Sequence, residues 1–286
     1  MTIIDRYPSR VGAVPEIIER HDPVVWNAEI DGGPLSAEQL AHYADAGYVI
    51  IEDVLTSDEA ERLNAYAQEL IDAAEGAIAV NEPDSSQRRS LFAVHESDPK
   101  FSPLTRTGLL AAAARQILGS GVYVHQSRIN CKRAFVGKAF PWHSDFETWH
   151  VEDGMPAMRA LSCSLALTEN TAINGPLMVI PGSHRSYASC AGRTPERHFE
   201  ESLRRQSYGV PEDAHLSAMA QESEIVAVKM RPGSVCMFDC NLMHGSPNNM
   251  TPYDRTNLFV VFNSVANRLV EPFGGTEPRP TYLASR

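Results

Sequence analysis

Val122-Tyr123-Val124-His125-Gln126-Ser127-Arg128-Ile129-Asn130-Cys131-Lys132-Arg133-Ala134-Phe135 is where the chain turns from helical spacing to alternation. Alternation predicts a long strand over 122–135. Gln126, Arg128, Asn130 and Lys132 fall on one face, and His125, Ser127, Ile129 and Cys131 on the other. Such a polar row either faces solvent or faces an interior that binds something polar, because burying these groups unpaired is costly. Further short strands are expected at 158–167, 175–180, 225–230, 234–239 and 256–265, broken by Gly, Pro and Asn. Together they predict a mainly β fold with flanking helices around a double-stranded β-helix core, the jelly roll of cupin-like proteins.

Upstream, the spacing is helical. Ser36 can cap a helix through Leu40 and Tyr43 to Gly47, with Gln39 as its capping-box partner. Ser57 opens a longer helix with Ala60, Leu63, Ala67, Leu70 and Ile71 in period, and a third covers about 103–118. The expected organisation is a single domain over 1–286. It comprises an irregular arm at 1–35, a helical section at 36–120 packed on the sheet, and the jelly-roll core at 121–270. Residues 185–223 form a long polar stretch between two strands, either a lid or a surface insertion containing a short helix.

Composition narrows the function. The chain has 286 residues, 43% of them hydrophobic, which is ample for a buried core. No stretch approaches the ~20 apolar residues of a membrane helix, and Met1-Thr2-Ile3-Ile4-Asp5-Arg6 lacks the pattern of a signal peptide. A cytoplasmic protein with no membrane partner is the expectation. A net charge of −11 without a basic run argues against nucleic acid. The five cysteines lack CxxC spacing and read as reduced, buried thiols.

The chemistry concentrates at Phe140-Pro141-Trp142-His143-Ser144-Asp145-Phe146-Glu147-Thr148-Trp149-His150. His143 and Asp145 form an HxD pair, and His244 follows in Asn241-Leu242-Met243-His244-Gly245-Ser246. Two imidazoles and a carboxylate can occupy one face of an octahedral iron and leave three positions open, as in non-haem Fe(II) oxygenases. Arg255, eleven residues beyond His244, could hold the far carboxylate of a 2-oxo acid chelated to that iron. Four aromatics fall within 140–149, although aromatics make up 8% of the chain.

Phe140 to Arg159, the piece Asn174-Gly175-Pro176-Leu177-Met178-Val179-Ile180-Pro181-Gly182-Ser183-His184, and His244-Gly245-Ser246 with Arg255 resemble the phytanoyl-CoA dioxygenase-like branch of Fe(II)/2-oxoglutarate oxygenases. Within that branch the 140–159 segment is similar to the ectoine-hydroxylating members, and the resemblance covers about residues 35–270. It implies a jelly roll, a homodimer, and hydroxylation of ectoine to 5-hydroxyectoine in compatible-solute synthesis. Fe(II), 2-oxoglutarate and O2 are the implied cofactors, with succinate and CO2 as co-products. His143, Asp145 and His244 would hold iron; Arg255, Ser246 and Asn130 would take 2-oxoglutarate. Lys132 could join them or be a surface lysine. Gln126, Trp149 and Phe262 would contact ectoine, a small zwitterion whose cationic ring could face an aromatic π-system. Strict alternation puts Phe262 opposite Arg255, so both reach one site only if a bulge intervenes. Two other readings stay open: the same chemistry on another small cationic amino acid such as proline, or a cupin-type metal-binding protein that is no oxygenase.

Overall fold

The computed structural model describes residues 4–26, 32–106 and 108–286. Positions 1–3 and 27–31 of the expected arm, and position 107 of the expected third helix, lie outside the described residues.

Local signals set the N-terminal half. The arm holds β1 (Ile17–Glu19). Helix α1 (Ala37–Ala46) starts at a capping box in which Ser36 Oγ accepts from the Gln39 N–H at 3.2 Å and Gln39 Oε1 accepts from Ser36 N–H at 2.9 Å. It stops where Gly47 takes φ 82°, a conformation glycine adopts freely. After β2 (Tyr48–Ile51), α2 (Ser57–Ala73) is capped by Thr56, paired with Glu59. β3 (Ala79–Asn81), β4 (Arg88–Phe92) and α3 (Val94–Ser97) follow. The expected helix at 103–118 is two helices, α4 (Phe101–Arg106) and α5 (Gly108–Leu118); Gly108 at φ 74° breaks the run.

β5 (Val122–Lys132) ends three residues short of the expected strand. β6 (Phe140–His143) leads into α6 (Asp145–Thr148), continued by a π-helical turn at Trp149–Asp153. β7 (Ala160–Ala166) and β8 (Met178–Val179) come next. The 185–223 stretch contains regular structure: β9 (Ser186–Ala188), α7 (Phe199–Ser202) and α8 (Asp213–Glu222). β10 (Val226–Ala227), β11 (Val235–Asp239), β12 (His244–Ser246) and β13 (Arg255–Ser264) complete the order.

Seven strands form one sheet, β2-β11-β7-β13-β5-β4-β3, and four form the other, β10-β8-β12-β6. These are the two sheets of the jelly roll, and helices α1, α2, α4 and α5 cover the outer face of the larger. There Tyr43, Ile71, Phe101, Leu110 and Ile117 pack on Ile129, Leu161, Leu258, Val260 and Phe262. The arm is not irregular throughout, since β1 pairs antiparallel with β9, Ile18 opposite Tyr187.

Candidate active site

The smaller sheet presents the metal-binding set. β12 pairs with β6 so that His244 lies opposite His143, and Asp145 follows at the start of α6. Ligand atoms of the three residues all lie within 4.8 Å of one another. Asp145 Oδ1 is 3.6 Å from His143 Nε2 and 3.8 Å from His244 Nε2. Backbone carbonyls orient both rings: His143 Nδ1 is 2.8 Å from Pro141 O, and His244 Nδ1 is 2.9 Å from Leu242 O. Protons on the Nδ1 atoms leave both Nε2 lone pairs toward the shared point. Ser162 Oγ donates to Asp145 Oδ2 at 2.8 Å, leaving Oδ1 for metal.

Electrostatics agree with this donor set. Burial, helped by His143, pulls the His244 imidazole down to about 4, so it is neutral near pH 7. Burial alone would raise the Asp145 carboxyl, yet His244, His143 and Arg128 hold it well below the usual carboxylate range. A carboxylate and a neutral imidazole are the protonation states that bind Fe(II).

The larger sheet supplies the facing wall. Gln126, Arg128, Asn130 and Lys132 of β5 all line the cavity that contains the triad, so the polar row faces inward. β13 pairs with β5, placing Arg255 opposite Lys132 and Phe259 opposite Arg128. Arg255 is 3% exposed. Its Nε has no partner among the described residues, and Nη2 reaches Asn130 Oδ1 only at 3.5 Å. Burial and the neighbouring Arg89 lower it to about 10. A buried guanidinium so poorly paired fits an anion placed against it. Lys132 is no surface lysine: it is 2% exposed and its Nζ donates to Ser246 Oγ at 2.6 Å and Pro247 O at 2.7 Å. Asn130 Nδ2 donates to Ser90 Oγ at 2.9 Å.

Farther along β5, Gln126 Nε2 donates to Leu283 O at 2.7 Å. Trp149 is buried, lines the cavity, and meets the His125 ring edge-on with centroids 5.4 Å apart. Phe262 corrects an expectation. It packs among Leu161, Val260 and the helices, not in the cavity wall. The bulge is real, but it falls on β5, where Gln126 pairs Val261 and Val124 pairs Phe262, leaving His125 unpaired. β13 keeps strict alternation, so Phe259, four residues after Arg255, takes the aromatic place in the wall, 4.7 Å from the Arg128 guanidinium.

Several wall residues carried no usable signal in the sequence. Arg89, held by Glu82 at 2.9 Å, comes from a strand the spacing did not reveal. Glu152 follows the HxD segment without a motif of its own. Arg279 sits in the tail between two prolines, bound to Asp153 at 2.7 and 2.6 Å. Leu203, Gln206 and Tyr208 reach in from the 185–223 stretch. Alternation from Arg255 could have found Phe259.

The cavity has a volume of about 120 Å³. A family model described as phytanoyl-CoA dioxygenase (PhyH) matches residues 43–257. An ectoine dioxygenase of Sphingopyxis alaskensis is 50% identical over 285 residues, covering 99% of this chain and 93% of that one. One from Nocardia farcinica is 47% identical over 288 residues, covering 99% and 94%. Among solved structures, EctD from S. alaskensis with 2-oxoglutarate and 5-hydroxyectoine superimposes with a TM-score of 0.90 at 47% identity, covering 99% of this chain and 95% of that one. A His–Asp–His facial set between jelly-roll sheets, a family match across three quarters of the sequence and relatives similar over nearly its full length converge: the chain belongs to the phytanoyl-CoA dioxygenase (PhyH) family.

Proposed function

We propose that this protein is an Fe(II)- and 2-oxoglutarate-dependent dioxygenase that hydroxylates ectoine to 5-hydroxyectoine, releasing succinate and CO2. The observation that carries it is a cavity lined at once by the three metal-binding side chains, a buried arginine with no acidic partner among the described residues, and a buried indole. Its similarity to ectoine dioxygenases over 99% of its length supports this substrate over proline. The poorly paired Arg255 disfavours a metal protein that uses no 2-oxo acid.

His143, Asp145 and His244 would hold the iron, leaving one face of its coordination sphere open. Iron with 2-oxoglutarate and O2 supplies the oxidising power for an unactivated C–H bond. Arg255 would clamp the distal carboxylate of 2-oxoglutarate by charge-assisted hydrogen bonds, with Ser246, Asn130 and Lys132 beside it. Gln126, Trp149 and Phe259 would orient ectoine. Leu203, Gln206 and Tyr208 support a role for the 185–223 stretch as a lid that keeps water from the reaction. The five cysteines are buried, which suits a reducing cytoplasm. Phe135, Met250 and Tyr253, exposed on adjoining loops, offer an apolar surface for the proposed homodimer.

The test is a product assay of purified protein with Fe(II), 2-oxoglutarate and ectoine, and with proline alongside. The expected product is 5-hydroxyectoine, matched by one succinate per turnover. His143→Ala, Asp145→Ala and His244→Ala each abolish it by losing iron while the fold persists. Hydroxyproline as the main product overturns the substrate, and full activity in any triad variant removes that residue from the site.

A further inference from the structure

One acidic group of the cavity has no part in this scheme. Glu152 belongs to the π-helical turn, is 3% exposed and lines the cavity near Trp149 and Arg279. Its Oε1 accepts from Arg10 Nη1 at 2.5 Å, while Oε2 has no hydrogen-bond partner among the described residues.

Arg10 does not neutralise it. The same guanidinium donates Nε to Glu147 Oε1 at 2.9 Å and Nη2 to Glu147 Oε2, so one cation serves two buried carboxylates. Arg279 is committed to Asp153 through both carboxylate oxygens. Two guanidinium groups therefore serve three carboxylates (Glu147, Glu152 and Asp153), with the His125 ring also 3.1 Å from Asp153, so Glu152 shares the one cation that it bonds. Around Lys132 the balance is positive, with Arg255 and Arg89 both repelling its ammonium. A buried carboxylate that shares its only bonded cation with another is costly. A free oxygen on such a group, facing a cavity, fits a cationic occupant.

We infer that Glu152 is the counter-charge for the cationic ring of the substrate: Oε2 accepts a ring N–H while Arg10 fixes the carboxylate toward the cavity. This rests on the assignment of ectoine, whose amidinium spreads positive charge over two ring nitrogens. Trp149 offers that ring a face, which is tolerant of rotation. Glu152 adds a directional, charge-assisted acceptor and so determines specificity for a cationic over a neutral ring. Arg10 is a positioning residue that acts through it.

Glu152→Gln isolates the charge. The amide keeps the shape and an oxygen for Arg10, and it leaves Arg10 and Glu147 as a balanced pair. Affinity is read by calorimetry on anaerobic enzyme loaded with Fe(II) and 2-oxoglutarate. The expected result is ectoine binding weakened about tenfold or more, with iron content and 2-oxoglutarate affinity as in the parent. The neutral ring amide 5-oxoproline should gain relative to ectoine, and Glu152→Asp should recover part of the loss. Unchanged ectoine affinity in Glu152→Gln overturns the inference. Parallel loss of ectoine, 2-oxoglutarate and iron also overturns it, in favour of a structural role. Parent enzyme that neither binds nor hydroxylates ectoine overturns the substrate assignment itself and this role with it.

Discussion

Lys132 owes its place to missing atoms: a Cβ on Gly175, itself at φ 74°, would stand 2.2 Å from the lysine Cδ. Burial, with repulsion from Arg255 and Arg89, pulls the amine down to about 6. At pH 7 it is thus largely unprotonated until an anion arrives. A dicarboxylate bound beside it raises its proton affinity, so 2-oxoglutarate binding at pH 7 should take up protons. Calorimetry in buffers of different ionisation enthalpy measures this uptake, which should fade below pH 6, where the amine already carries its proton. Identical uptake in Lys132→Met would assign it to another group. Arg255→Ala should raise the 2-oxoglutarate requirement at least tenfold, as loss of a charge-assisted pair demands, and leave the ectoine requirement much less affected. Steady-state titration of each substrate separates the two. Trp149→Ala should weaken ectoine binding by roughly tenfold, the scale of a cation–π contact in a desolvated site, while iron and 2-oxoglutarate still bind. The triad and Arg255 were legible because their spacing is itself chemical information. Arg279 and Glu152 were not, since a lone charge in a loop looks the same whether it faces solvent or a cavity.

At the scale of elements, β13 divides its aromatics between two tasks. Phe262 fills the core against the helices, whereas Phe259 lies beneath Arg128 in the cavity wall. Phe262→Ala should cost about 3–5 kcal/mol of stability and spare the ectoine KM of the folded enzyme. Phe259→Ala should raise that KM, because Arg128 loses its support, at a smaller loss of stability. Denaturant titration alongside kinetics distinguishes them, and the reverse pattern would restore Phe262 to the site. The long strands and capped helices were readable because ten or more residues express a period. β12 has three residues, too few to show one, whereas β8 and β10, of two residues each, fall inside the longer runs expected at 175–180 and 225–230. Pro141 hid β6, although it sits on a strand whose only named partner is β12.

Across the whole molecule, the HxD segment is secured from both directions. In the arm, Tyr7 packs on Phe146 and donates to Asp22 Oδ2 at 3.0 Å, and Ser9 donates to Glu147 at 2.6 Å. In the tail, Arg279 holds Asp153 and Leu283 O receives Gln126. Arg10→Ala should therefore cost about 3–5 kcal/mol, the usual penalty for stripping one partner from a buried pair. Arg185→Ala, which removes an exposed pair with Asp45, should cost under about 1 kcal/mol; equal losses by chemical denaturation would show that burial is not what matters. Nothing in the arm's own sequence announced its hold on the HxD segment, for Phe146, Glu147 and Glu152 lie more than a hundred residues away and leave no local period.

That separation has a consequence for synthesis. Arg10 precedes Glu152 by 142 residues, and Gln126 precedes Leu283 by 157. At ribosomal speeds the arm waits on the order of ten seconds for its acidic partners, and the β5 wall waits as long again for the tail. The nascent chain thus carries an unmatched arginine and a row of unsatisfied polar groups while the sheet is already assembling. The β5 wall should therefore reach its finished form only after Arg279 and Leu283 have docked.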